Sequence, residues 1–357
     1  MATRPTHVFL NRLSWITSSV LQKTWLNCLM TLAVSFSCFW QKLDMDRPLL
    51  LSPRKSDRGK CTCRKCIVIK LIFSRVEPII YRQLFFFDVA RRLPATALKL
   101  YYTMRDPSTS KPQEYLAFHV KTIFIDVNQF ATERVLAVIK ACQNVETLLL
   151  WSCLGRPFAN LFLRCPSSAT SRIAPARLSL TCIHALRHED RHFSLPFFRN
   201  VTHIEFIRMS FEGQDRWRFD TLQDLPHLTH VSTHIEFWRP GQLVKVVERI
   251  IRCCRPTLRV FIAWAYCSNP NSSLSDLHLA DIMAIYTGDV DPRAVVGFTQ
   301  LASHEGLTPQ FLEYAMIRRS QRQIVREWDG RSAGRDFWTE AEERIEERKR
   351  QIPSIKA

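Results

Sequence analysis

A six-residue pattern with apolar residues at positions one, four and six recurs six times along the chain, although the third copy begins with Pro175 and the fifth ends in Thr233. Written as L-x-x-L-x-L, it begins at Val120, Val145, Pro175, Val201, Leu228 and Leu258, at intervals of 25 to 30 residues. Positions four and six are two residues apart, so in an extended strand both side chains point to the same side. A single strand cannot bury that side alone. The repetition therefore predicts strands stacked side by side around a continuous core.

Helical patterns lie between some of these strands. Residues 131–141 and 242–252 carry apolar residues at the three- and four-residue spacing of an amphipathic helix. A strand followed by a helix, repeated at this interval, is typical of a leucine-rich-repeat-like solenoid. We therefore predict an α/β fold with a parallel sheet of about six to seven strands, helices on its convex side and a helical C-terminal cap.

A doubly wound α/β enzyme is the alternative fold. That fold usually has a glycine-rich turn after its first strand, where it holds a phosphate group. None of the six strands is followed by such a turn, and the chain has only 9 glycines. The recurrence of one pattern also favours the solenoid.

Positions three and five of each pattern would point to the concave side of the sheet, which solenoids use to bind partners. Eight residues at these positions are the candidate partner contacts: Thr122, Phe124, Thr147, Leu149, His203, Glu205, His230 and Ser232. The apolar members would be costly to expose as one patch. The alternative is that a loop or the C-terminal helices cover this side.

The C-terminal segment has the pattern of a charged helix. Thr339 and Glu342 fit a capping box at its start. Trp328, Phe337 and Trp338 are predicted to pack this segment onto the last repeat, because the end of a solenoid must hide its core.

The N-terminal fifth of the chain is strongly basic. Residues 1–70 contain 12 Lys and Arg against 3 Asp and Glu, which is +9 of the net charge of +17. Such a segment can bind nucleic acid or an anionic membrane surface. Residues 24–40 are uncharged, but they are fewer than the roughly 20 apolar residues of a membrane span. We predict a poorly ordered basic leader over residues 1–66, with nucleic-acid binding and a membrane anchor as alternatives.

Two groups of side chains have the residue types of a metal site. They are Cys61, Cys63 and Cys66, and the evenly spaced His184, His188 and His192. A structural zinc site usually takes four ligands in two spaced pairs, and no second pair follows the cysteines. The histidines lie in a connection between two strands. No serine or cysteine lies in a nucleophile elbow. The sequence therefore predicts no metal, no cofactor and no catalytic residue.

The chain contains 12 cysteines, and several lie within apolar runs, among them Cys142, Cys182, Cys253 and Cys254. A free cysteine in such a run behaves as a small buried apolar residue. Reduced thiols are typical of the cytoplasm and nucleus, so we predict an intracellular protein.

Five segments carry a resemblance to a known family. They are residues 74–84, which contain Glu77-Pro78 and Tyr81-Arg82, residues 198–204 and 225–231, which both contain Thr-His, residues 291–296 and residues 334–342. Over residues 70–350 the chain resembles fungal (basidiomycete) F-box-like, leucine-rich-repeat-like proteins. The resemblance implies binding to a Skp-type adaptor within a ubiquitin ligase. The chain departs from the family between residues 20 and 60, where no F-box opening of the L-P-x-E-[IL] type is found.

These observations predict four parts: the leader at residues 1–66, an F-box-junction-like helical segment at 67–116, the repeats at 117–300 and the cap at 301–357. The predicted function is non-catalytic recognition of a protein partner. A degenerate F-box-type substrate receptor is its more specific form.

Overall fold

A computed structural model describes residues 81–87, 100–102, 104–105, 113–126, 132–151, 173–181, 191–207, 218–236, 241–266, 276–299, 317–319, 327–328 and 336–355. All of them lie in the compact unit that spans Leu71–Ala357. The predicted leader, the uncharged run at residues 24–40 and the three clustered cysteines lie outside the described residues.

Nine described strands form one open sheet, and their order in the sheet is their order in the chain. They are β1 (Gln83–Phe87), β2 (Thr122–Asp126), β3 (Thr147–Leu150), β4 (Arg177–Leu180), β5 (His203–Phe206), β6 (His230–Glu236), β7 (Val260–Tyr266), β8 (Ala294–Thr299) and β9 (Ile317–Arg319). Every neighbouring pair is parallel. The predicted α/β class and parallel sheet are confirmed, and the sheet is larger than predicted. The described strand order contains no reversal, whereas a doubly wound sheet requires one.

The register between strands is constant. Each residue at position three of a pattern lies opposite position three of the next pattern, from Thr122 through Thr147, Arg177, His203 and His230 to Val260. The same register continues at both ends, since Gln83 lies opposite Thr122 and Phe261 lies opposite Ala294. Strands β1 and β8 therefore repeat the geometry of the six predicted strands.

The chain enters successive strands through one backbone arrangement. The carbonyl at position two accepts hydrogen bonds from the N–H groups of positions two and three of the next pattern, at 2.8–3.2 Å. The accepting residues are Arg82, Lys121, Glu146, Ala176, Thr202 and Thr229. Position one is buried in all six patterns. The recurring pattern thus produces the same turn each time, and this turn keeps the register.

Five α-helices among the described residues are named here in chain order: α1 (Gln113–His119), α2 (Thr132–Ala141), α3 (Gln242–Arg252), α4 (Asp276–Thr287) and α5 (Phe337–Ile355). Residues 100–102 and 104–105 are also helical. Short 3-10 turns occupy Pro196–Phe198 and Phe219–Asp224. The helices predicted over residues 131–141 and 242–252 are confirmed as α2 and α3.

The main core lies between one face of the sheet and helices α1 to α4. It contains positions four and six of the patterns, such as Ile123 and Ile125 on β2 and Leu148 and Leu150 on β3. The apolar sides of the helices complete it, for example Val247 of α3 and Ile282 of α4. The side of the sheet that the sequence predicted to be buried is therefore the side that the helices cover.

A second core covers the opposite face of the sheet, here called the inner face. Phe337, Trp338, Ala341 and Ile345 of α5 pack there, together with Trp328. On the sheet side the same cluster includes Phe124, Leu149, Val260, Ile262, Trp264 and Val295. Both faces of the sheet are therefore packed.

Helix α5 packs against β7, β8 and β9, as a cap on the last repeat would. The prediction of a cap was too narrow, because contacts of the C-terminal segment reach back to β4. Apolar side chains follow the inner face along several strands, so covering the last repeat alone would leave most of them in water. Within the described part of the chain, no helix has both the length and the apolar character needed to cross a bilayer.

Candidate recognition face

The inner face carries two rows of side chains that run across the strands. Positions three form one row, and positions five form the other, from Phe124 through Leu149, Ser179 and Glu205 to Ser232. All eight predicted contact residues belong to these rows. The structure therefore brings them together on one face, although they are spread over more than 100 residues of sequence.

These eight side chains do not form an open surface. His203 is half-buried and the other seven are buried. The alternative interpretation, in which the C-terminal segment covers this side of the sheet, describes the structure better, because Trp328 and α5 pack on the same face. On β5 and β6 a partner could contact the candidate residues only if that segment moved away, whereas on β2 the ring of Phe124 contacts Phe85 and Trp151.

Two histidines of the position-three row are stacked. The rings of His203 and His230 lie 4.1 Å apart at an angle of 7°. The edge of Trp338 contacts both rings, with centroids 5.4 Å away. Each Nδ1 lies 2.8 Å from the hydroxyl of the preceding threonine, Thr202 or Thr229. Both hydroxyls also donate to carbonyls of the preceding repeat. The repeated Thr-His pair thus fixes both rings.

The environment of the stacked rings disfavours their charged forms. Burial, followed by the nearby His230 and Arg177, lowers the pKa of His203 to about 3. Burial also lowers the pKa of His230, although Glu342 opposes this because its Oε1 lies 3.2 Å from Nε2 of the ring. Protonating either ring would place a positive charge in a poorly solvated stack.

A buried carboxylate lies at the centre of the inner face. Glu205 is fully buried, and its Oε2 accepts hydrogen bonds of 2.8 Å from Ser179 Oγ and Trp328 Nε1. Ser179 in turn accepts a hydrogen bond from Trp151 Nε1 at 2.8 Å. His234 Nε2 lies 3.5 Å from the other carboxylate oxygen. These contacts compensate for the loss of water around a carboxylate.

The order of these groups differs from that of a catalytic triad. In a triad a histidine lies between the hydroxyl and the carboxylate. Here the hydroxyl of Ser179 donates directly to Glu205. Ser179, Glu205 and His234 are all buried beneath the C-terminal segment or within the sheet. The arrangement therefore joins the sheet to Trp328.

Helix α5 is held at its first turn. Asp336 Oδ1 accepts hydrogen bonds from the backbone N–H and the hydroxyl of Thr339 at 2.9 and 3.0 Å, as an N-cap residue does. Its other oxygen accepts a 2.8 Å hydrogen bond from Arg177 Nη2 on β4. The amide of Thr339, this hydroxyl and Arg177 hold the pKa of Asp336 below its usual value despite burial, which opposes the shift.

Further along α5, Arg348 binds the end of α4. Its guanidinium donates to the carbonyls of Ile285, Tyr286, Pro292 and Ala294. Carbonyls at the C-terminus of a helix lack partners within the helix and carry the negative end of its dipole. One arginine thus joins α5 to the turn between α4 and β8.

The C-terminal segment therefore makes polar contacts with β4, β5, β6 and the α4–β8 turn. The sequence predicted that Trp328, Phe337 and Trp338 pack this segment onto the last repeat, but it did not predict the contacts of Asp336 and Arg348. The spacing of Asp336 and Thr339 is an N-cap signal that could have been recognised. No local signal marks Arg348, because its acceptors lie 54 to 63 residues away.

The described cysteines and histidines form no metal site. Among the residues that the structure describes, no three or more metal-binding side chains come together. His192 contacts Ser194, whereas His184 and His188 lie outside the described residues. Burial raises the pKa of the Cys142 and Cys254 thiols to about 12, which makes these free thiols poor nucleophiles.

Comparison with known proteins adds no relative. No family model, no curated protein and no solved structure matches this chain.

Proposed function

We propose that this chain is a non-catalytic, intracellular protein-recognition module built as a leucine-rich-repeat-like solenoid. The observation that carries the proposal is the constant register, in which equivalent positions of six patterns lie opposite one another on sequential parallel strands. Solenoids of this type are elongated scaffolds that present surface residues to protein partners. Because the eight candidate residues of the inner face are buried or half-buried, the proposal places the partner on the remaining exposed surfaces.

The more specific proposal is a degenerate F-box-type substrate receptor of a ubiquitin ligase. Its support is the family resemblance, in particular the Glu77-Pro78 and Tyr81-Arg82 segment that leads into β1. The test is binding of the full chain to a purified Skp-type adaptor, measured by biolayer interferometry. We expect Glu77→Arg to weaken this binding by about tenfold. The control Glu248→Arg, on the exposed side of α3, should change it by less than about twofold.

The outcomes of this experiment separate the two levels of the proposal. Adaptor binding that depends on Glu77 supports the receptor. Absence of adaptor binding by the intact chain rejects the receptor and leaves the general recognition module, which the peptide experiment described below tests independently.

A second candidate function is nucleic-acid binding by the basic segment of residues 1–70, favoured by its net charge of +9. This function predicts that a labelled oligonucleotide binds the full chain, that the affinity falls steeply with salt, and that deletion of residues 1–70 removes the binding. Oligonucleotide binding with this behaviour, without any protein ligand, would replace the first proposal.

A further inference from the structure

An exposed cluster of two tyrosines and two arginines lies beside α1 and α2. The cluster consists of Tyr101, Tyr102, Arg105 and Arg134. The tyrosine rings meet edge to face at 5.6 Å. Arg105 lies 5.2 Å from the centre of the Tyr101 ring and donates a 2.7 Å hydrogen bond to its hydroxyl. Arg134 of α2 lies 6.0 and 5.9 Å from the two ring centres. Both guanidinium groups are thus held by cation–π contacts.

The fold presents this cluster to solvent on a rigid base. Tyr101 and Met104 pack against the main core, whereas Arg105 and Arg134 are exposed and Tyr102 is 57% exposed. Phe118 on the neighbouring helix α1 is 68% exposed, and α1 packs against α2. The three large apolar residues exposed in the described structure are Tyr102, Phe118 and Met283. Tyr102 is part of the cluster, and Phe118 lies on a helix that packs against α2, which carries Arg134.

The two guanidinium groups lack anionic partners within the described chain. Neither Arg105 nor Arg134 forms an ion pair with a described carboxylate, although Glu114 and Glu133 lie on the adjacent helices. A guanidinium held in place by an aromatic ring loses less side-chain entropy when it binds a carboxylate, and its fork of donors matches the two oxygens. The cluster thus combines oriented positive charge with exposed aromatic surface, the residue types that dominate protein–protein hot spots.

Charge complementarity indicates the chemistry of the partner. Two cations that have no ion-pair partner among the described residues, next to the exposed ring of Tyr102, fit a segment in which carboxylates flank an apolar side chain. A single-stranded nucleic acid fits less well, because base stacking requires free ring faces and the guanidinium groups contact the rings of both tyrosines.

We propose that Tyr101, Tyr102, Arg105 and Arg134, with Phe118, bind an acidic segment of a partner protein that carries an aromatic or aliphatic anchor. This inference rests on the proposed recognition function and gives it a surface and a class of partner. Arg105 and Arg134 bind the carboxylates, and the exposed parts of Tyr102 and Phe118 contact the anchor.

The test uses the full chain and a short fluorescein-labelled peptide in which Asp and Glu flank one Phe, with fluorescence anisotropy as the readout. We expect binding in the micromolar range, and we expect the double variant R105Q/R134Q to weaken it by about tenfold or more. The matched control K245Q/R252Q removes two positive charges from the exposed side of α3 and should weaken binding by less than about twofold. A peptide with Phe replaced by Ser should also bind about fivefold more weakly.

Three outcomes would overturn the proposal: no binding of the peptide to the full chain, equal losses in the two double variants, or tighter binding of a labelled oligouridine through the same two arginines. The urea midpoint of R105Q/R134Q should match that of the unsubstituted chain, since both side chains are exposed. If the peptide fails while the adaptor binds, only this surface is rejected. If neither protein ligand binds and the oligonucleotide does, the recognition function itself is rejected.

Discussion

Among single residues, Glu205 has the most demanding environment in the described structure. A carboxylate with no exposure to water is stable only when donors replace the water that it has lost. Ser179 and Trp328 supply these donors from β4 and from the C-terminal segment. Through Glu205, the packing of the sheet and the position of the C-terminal segment therefore depend on each other.

Replacing Glu205 with alanine should be strongly destabilising. E205A leaves the hydroxyl of Ser179 and the indole N–H of Trp328 without their acceptor and creates a cavity. We expect the free energy of unfolding, measured by urea denaturation, to fall by about 3 kcal/mol. The control Glu248→Ala, on the exposed side of α3, should change it by less than about 0.5 kcal/mol. A loss below about 1 kcal/mol for E205A would contradict the assigned network.

The stacked histidines predict a specific dependence of stability on pH. Because the pKa of His203 falls from 6.5 to about 3 on folding, the unfolded chain binds more protons than the folded chain in this range. The contribution of neutral His203 to the free energy of unfolding is fully present above pH 6.5 and decreases as the pH falls towards 3. Between pH 7 and pH 4, H203Q should lose about 3 kcal/mol less stability than the unsubstituted chain. Identical pH profiles of the unfolding free energy would show that His203 does not titrate in this way.

At the scale of elements, helix α5 begins before the start that the predicted capping box implied. The pattern of Thr339 and Glu342 predicted a capping box, but the helix begins at Phe337 and Asp336 is its N-cap. Glu342 instead contacts His230 on β6. The capping-box prediction was wrong because a three-residue spacing cannot show which of two neighbouring polar residues meets a partner from a distant strand. Here Arg177 on β4 contacts Asp336.

The turn after α4 offers a test of the Arg348 contact. Gly288 has φ +85, and a Cβ there would lie 3.2 Å from the Arg348 side chain. Gly241, just before α3, has φ +75 and nothing within 4 Å. G241A should therefore lower the free energy of unfolding by about 1 kcal/mol, which is the cost of a positive φ for alanine. G288A should lower it by about 2 kcal/mol or more, and urea denaturation measures both.

A double-substitution cycle separates the two contributions at Gly288. In the R348M variant, which lacks the guanidinium, G288A should lower the free energy of unfolding by an amount closer to the effect of G241A. Equal losses for the two glycines in the unsubstituted chain would argue that Arg348 adapts without strain.

At the scale of the whole described fold, the C-terminal segment links strands that are distant in sequence. Strands stacked in chain order contact mainly their immediate neighbours, so such a fold tends to unfold in parts. Contacts from Asp336 to β4, from Glu342 to β6 and from α5 to β7, β8 and β9 oppose this tendency. We therefore expect β4 to β8 and α5 to behave as one cooperative unit.

Native-state hydrogen exchange can measure this coupling. The opening free energies of amides in residues 337–348 should agree within about 1 kcal/mol with those of β5, β6 and β7. The amides of Arg255 and Thr257, in an exposed turn, serve as an internal reference for local opening. If α5 exchanged with an opening free energy about 3 kcal/mol below that of the strands, the helix would open independently and the inner face would become accessible to partners.

The sequence alone determined the parallel sheet, the face that the helices cover and the rows of the inner face. These features follow from the alternation of side chains along a strand, which is a local property and recurs in each pattern. The sequence did not predict β1 or β9: β1 lies within residues 67–116, which were predicted to be helical, and β9 lies within the predicted helical cap. Only the tertiary structure decided that the candidate contacts Thr122 to Ser232 are covered.

Covering the inner face depends on contacts between residues far apart in the chain. Trp328 and Glu205 are separated by 123 residues, and Arg177 and Asp336 by 159. Periodicity states which way a side chain points from its own strand, but it carries no information about which distant segment packs there. For that reason the sequence predicted two apolar sides of one sheet, and the packing of Trp328 and α5 decided which residues remain exposed for a partner.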